Sequence, residues 1–166
     1  MNCAGIDIQT GSAVEVAFER GIQSVEPLLS PPAALPFLAP GWVDLQVNGF
    51  AGVDYNSPAT PSEELARSLC ELFSTGVTRC FPTVITGSPD DMAGALRNLA
   101  NAKESLRTGE AFEGFHVEGP HISPEDGPRG AHPQRWVRPP DLDEFRRWQD
   151  AARGCVRLVT VSPEWP

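Results

Sequence analysis

Apolar and polar residues alternate over Val14 to Glu19 and again over Ile22 to Glu26, on either side of Arg20-Gly21. A period of two puts every second side chain on one face, so a β-hairpin with one buried face is expected here. The stretch that follows holds Pro27, Pro31, Pro32, Pro36 and Pro40. Proline lacks the N–H that a helix interior or central strand needs, which predicts a connector between two folding units.

Beyond Pro40 the pattern changes to short apolar runs separated by helical segments. Thr60-Pro61-Ser62-Glu63 places a hydroxyl cap, a proline at the first helical position and a glutamate three residues after the cap. Ser88-Pro89-Asp90-Asp91 repeats this arrangement, and Asp141-Leu142-Asp143-Glu144 is a third version. Three helices are expected from these starts, running to about Thr75, Thr108 and Arg153, with Gly76, Gly109 and Gly154 as stops. Strands are expected over Trp42 to Val47, Val77 to Ile85, Phe112 to Val117 and Val156 to Val161. Strand and helix alternating through short joints predict right-handed βαβ units around a parallel sheet, an α/β fold that at this level is either an open sheet or a barrel.

Composition narrows the function. The 166 residues carry 13 Lys plus Arg against 22 Asp plus Glu, a formal charge of −9. With no basic run to meet phosphates, neither nucleic acid nor an anionic membrane is expected as partner. No stretch has the roughly 20 apolar residues of a bilayer span, so the cytoplasm is the default expectation. Cys3, Cys70, Cys80 and Cys155 lie far apart, without C-x-x-C spacing, and read as free thiols. There is no G-x-G-x-x-G and no Walker lysine to suggest a nucleotide.

Ligands of parallel α/β folds bind outside the carboxyl ends of the strands. The expected strands end there in polar side chains. Asp44, Gln46 and Asn48 share one face of the first, Thr83 and Thr86 close the second, His116 and Glu118 share a face of the third, and Ser162-Pro163-Glu164 follows the fourth. Acceptors so clustered are costly to bury unless a metal, water or polar ligand engages them, although Asp44 and Asn48 have the alternative of capping the following loop. A His-x-Glu pair on one face can offer ligands to a divalent ion, and Gly119-Pro120 leaves Glu118 at the rim. The stiff segment from Gly127 to Pro133, with Arg129 and His132, is suited to fold over a ligand.

The successive segments Pro40 to Gly49, Phe81 to Thr86, His116 to Pro120 and Arg129 to Pro133 together resemble the motifs of the N-acetylglucosamine-6-phosphate deacetylases of the amidohydrolase superfamily. The resemblance runs from Pro40 to about Pro163. It implies the first half of a (β/α)8 barrel over 41–166, preceded over 1–40 by part of a small β-domain and its Pro-rich connector. It also implies a cofactor, one divalent ion such as zinc or iron, and a phosphorylated amino-sugar substrate, with a homodimer for the full-length enzyme. Glu118 matches the carboxylate metal ligand, Gln46 a position that orients metal-bound water, and Ala131, through its backbone, and His132 match substrate-contacting positions. His121 departs from the bulky apolar or aromatic residue usual after Glu-Gly-Pro. The family's two histidine ligands and its general acid–base aspartate have no match before Pro166, so no catalytic acid–base residue is expected within this chain. A full barrel takes about 250 residues, which makes 41–166 half of one. Two other readings are a non-catalytic sugar-phosphate-binding or assembly subunit, and a deacetylase for the galactosamine epimer.

Overall fold

β1 (Asn2–Asp7), β2 (Ala13–Phe18) and β3 (Ile22–Pro27) form an antiparallel meander in the computed structural model, which describes residues 1–165. The hairpin around Arg20-Gly21 is present as β2 and β3, and β1 adds a strand that the alternation did not mark. The proline-rich stretch is more than a connector. Its residues Phe37–Leu38 form β4, which pairs in parallel with β1, while Ile6 N–H donates to the Pro36 carbonyl at 2.8 Å. A two-residue edge strand between prolines is compatible with their missing donors, because one side of an edge needs none. The expected burial of the hairpin's apolar face is realised at Val14 but not at Ile22 and Val25, which are exposed.

The chain divides into two units, Met1–Pro40 and Gly41–Pro166. In the second, β5 (Trp42–Val47) leads into a small hairpin of β6 (Gly49–Phe50) and β7 (Val53–Asp54), followed by α1 (Ser62–Phe73), β8 (Val77–Ile85), α2 (Pro89–Ser105), β9 (Phe115–Glu118), α3 (Leu142–Ala151) and β10 (Val156–Thr160). The four main strands are all parallel, in the order β10-β9-β8-β5. Each strand therefore lies beside its predecessor in the chain, and the sheet advances in one direction without reversing. Leu65, Leu69 and Leu72 of α1, Leu96 and Leu99 of α2 and Trp148 of α3 share a core with Cys80, Val84, Phe115 and Val117. The helices thus cover one face, and alternation along the strands turns Gln46, Thr83, His116 and Glu118 to the other.

The helix starts follow their chemistry unevenly. Ser88 caps α2 by accepting from Asp91 N–H at 3.1 Å, and Asp141 caps α3 by accepting from Asp143 N–H at 2.7 Å. Thr60 does not cap α1; its hydroxyl donates instead to the Asp54 carbonyl at 2.7 Å, and the helix begins one residue later, after Pro61. A neighbouring loop acceptor outcompetes the helix N–H groups for that side chain. At the other ends, Gly76 and Gly154 stop helices with φ of 90° and 76°, the left-handed conformation that glycine adopts freely. Gly109 instead opens a single 3₁₀ turn, Gly109–Ala111. That turn delays β9 to Phe115, three residues later than the expected strand start, and leaves Phe112 joined to Cys80 by an isolated bridge.

No helix among the described residues is long and apolar enough to cross a membrane. The four cysteines are free thiols: Cys70 is exposed and Cys80 fully buried. Burial, with a smaller contribution from the Asp44 charge, pushes the Cys80 thiol up to about 12. Thiolate is the reactive form, so Cys70 should alkylate readily in the native chain while Cys80 stays protected until unfolding. Pulsed alkylation read by peptide mass spectrometry checks this, and early labelling of Cys80 would contradict the packing around β8.

Candidate functional site at the carboxyl ends of the strands

Glu118 ends β9 with its side chain partly buried. Asn48, just past the end of β5, donates its side-chain amide to Glu118 Oε2 at 3.3 Å. His132 approaches the same carboxylate from the loop, with Nε2 at 3.9 Å from Oε1 and Nδ1 at 2.9 Å from Thr86 Oγ1. Thr86 also lies 3.4 Å from the Glu118 carbonyl.

Local backbone chemistry makes this meeting possible. Gly119 has φ +83°, and a Cβ built there would overlap Thr86 Oγ1. Gly127 and Gly130, both at positive φ, fold the loop back on itself, and Arg129 donates to the His132 carbonyl at 2.8 Å. His132 is thereby held over the strand ends, while Ala131 beside it is exposed.

Asp44 takes its local alternative: Oδ1 accepts from the Gln46 N–H at 3.0 Å, as in an Asx turn, and the β5–β8 register shifts between Asp44 and Val47. Asn48 does not, since its side chain goes to Glu118. Gln46 lies on the same sheet face as Glu118 but is exposed and two strands away, and no hydrogen bond joins the two among the described residues. His116 is buried between Thr83 and Thr160, with its ring nitrogens 3.5 Å and 2.8 Å from their hydroxyls. Burial lowers its pKa from the ordinary value, against the pull of Glu118 and the Leu45 carbonyl.

Two contributions to the rim escaped sequence reasoning. Asn56 bridges the rim, donating to the Asn48 carbonyl at 3.0 Å and accepting from the Ile85 N–H at 2.7 Å. Thr86 is expected among the polar residues that close its strand, but not in contact with His132. Both are ordinary loop residues by composition, and only long-range packing distinguishes them. His121 is explained by packing too: buried, it lies against Trp148 with ring centroids 5.2 Å apart, filling an aromatic's place.

No three His, Cys, Asp or Glu side chains converge as a metal site among the described residues. Glu118 offers one carboxylate, with the His132 ring 3.9 Å away, so these residues do not hold a divalent ion by themselves; zinc sites take at least three protein ligands.

A parallel α/β sheet with helices on one face and a polar cluster at its carboxyl rim places the second unit in a fold class whose ligands bind beyond the strand ends. Comparison with known proteins is more specific. The chain is similar to the N-acetylglucosamine-6-phosphate deacetylase of Bacillus subtilis, 32% identical over 162 residues, covering 96% of this chain and 40% of that protein. It is also similar to the enzyme of the same name from Homo sapiens, 38% identical over 134 residues, covering 76% of this chain and 31% of that one. The crystal structure of N-acetyl-D-glucosamine-6-phosphate deacetylase from Mycobacterium smegmatis superposes with a TM-score of 0.79 at 25% identity, over 99% of this chain and 48% of that chain. No protein-family model matches. The chain is thus a relative of the N-acetylglucosamine-6-phosphate deacetylases and spans less than half the length of those it matches.

Proposed function

We propose that this chain carries one part of the active site of a deacetylase that removes the acetyl group from N-acetylglucosamine 6-phosphate, giving glucosamine 6-phosphate and acetate, and that the site works only with the polypeptide that completes the length of its relatives. The observation that carries the reading is the meeting of Glu118, Asn48, Thr86 and His132 at the carboxyl rim of a sheet shared with enzymes of that name. Strand order supports the half-barrel: parallel crossovers that always step to the next position, with the helices packed on one face, are the arrangement of a closed eight-stranded barrel.

Within that site Glu118 is the carboxylate that this chain contributes to one divalent ion, zinc or iron, whose remaining ligands lie outside it. Gln46, on the same sheet face, would orient water on that ion, and Ala131, through its backbone, and His132 would hold the phosphorylated sugar from the loop. The acid–base group that protonates the departing amine also lies outside these residues, and the completed enzyme is a dimer.

The test is acetate release from N-acetylglucosamine 6-phosphate, with the galactosamine epimer in parallel, by the chain alone and by a protein extended to the length of its relatives. Turnover is expected only in the extended protein. There Glu118→Gln should lower bound metal and turnover together by at least about tenfold, whereas His132→Ala should raise KM and spare the metal. An extended protein that is inactive, or indifferent to Glu118→Gln, would end the proposal.

A further inference from the structure

Below the rim, a line of polar groups crosses all four strands on the site face. The β5–β8 ladder is broken between Asp44 and Val47, and the Val47 N–H donates instead to Thr83 Oγ1, at 3.1 Å. Thr83 is fully buried on β8 and directly paired with His116 on β9. His116 Nδ1 lies 3.5 Å from Thr83 Oγ1, and its Nε2 lies 2.8 Å from Thr160 Oγ1 on β10. Thr160 is in turn the register partner of Glu118.

Proton counting orders this line. The Thr83 hydroxyl has one hydrogen and points it at the Phe81 carbonyl, 3.0 Å away, while accepting from Val47. It can then meet His116 Nδ1 only as a second acceptor, which puts the ring proton on Nδ1 and leaves Nε2 to accept from Thr160. We infer that Thr83, His116 and Thr160 are positioning residues, a hydrogen-bonded crossbar that holds the strand ends bearing Gln46 and Glu118 in fixed relation, with the His116 proton on Nδ1. The functional side of this rests on the reading of Gln46 and Glu118 as site residues. The crossbar replaces a missing backbone bond with a side-chain bond, so the break in the β5–β8 ladder does not leave the buried Val47 N–H unpaired.

The experiment uses the ¹⁵N-labelled 166-residue chain. Two-bond imidazole correlations should show His116 with its hydrogen on Nδ1, the opposite of the form that free histidine favours. Thr160→Val, at an exposed position that folding should tolerate, removes the donor to Nε2. The ring proton should then redistribute toward Nε2, and the Asn48 side-chain amide signals, which report on Glu118 Oε2, should shift. Thr83→Val should displace the Val47 amide signal, and Thr83→Ser should restore it. A wild-type His116 protonated on Nε2, or a Thr160→Val chain with both its tautomer and its Asn48 signals unchanged, would overturn the crossbar. These signals need no substrate, so an inactive extended protein removes the proposed reaction and leaves this result standing.

Discussion

Gly119→Ala should destabilise the second unit by about 2–4 kcal/mol and release His132 from Thr86. A left-handed conformation costs a residue with a Cβ about 1–2 kcal/mol, and here φ is +83°. The new methyl would also overlap Thr86 Oγ1, in a buried position beside Ile122. Relief requires either the Glu118–Gly119 backbone or Thr86 to move, and both moves separate the Glu118 carboxylate from the His132 ring. The four tryptophans, Trp42, Trp136, Trp148 and Trp165, all lie after Pro40, so tryptophan fluorescence in urea reads this unit alone. A midpoint equal to wild type, with the Thr86–His132 contact still seen by NMR, would show that Gly119 is not needed for that approach.

Phe112→Ala should cost about 3–5 kcal/mol, the usual range for removing a buried phenyl ring. Phe112 is fully buried, with Tyr55 and Phe115 packed edge-on at centroid distances of 6.2 Å and 6.4 Å. Its carbonyl accepts from Lys103, which ties the end of α2 to the entry of β9. Little can collapse into the space, because one neighbour, Tyr55, is itself fixed by its hydroxyl on Ser68 at 2.8 Å. Phe112→Leu keeps most of the volume and should cost under about 1.5 kcal/mol. The same fluorescence titration separates the two, and equal midpoints for both variants would contradict a rigid aromatic centre.

Much of the second unit was legible in the sequence because its signals are local. The caps at Ser88 and Asp141 act on N–H groups two or three residues away, and apolar runs show where strands must lie. Thr60 misled because its competing acceptor, the Asp54 carbonyl, is supplied by a loop whose fold no cap motif encodes. Phe112 misled because an apolar residue beside a strand looks the same whether it extends the ladder or fills the core through one bridge. The proline-rich stretch misled because prolines forbid central strands, not a two-residue edge.

For the site, Glu118 and His132 could be picked out as residues suited to chemistry, since their types, their place at strand ends and their resemblance to a family are all written in the chain. Their 3.9 Å approach could not, nor could the roles of Asn48, Asn56 and Thr86, because these depend on segments up to 70 residues apart being brought to one rim. Periodicity and caps, whose physics spans a few residues, determined by themselves that strands and helices alternate after Pro40. Which side chains face one another only the tertiary structure decided, because such contacts depend on strand order and register rather than on neighbours in sequence.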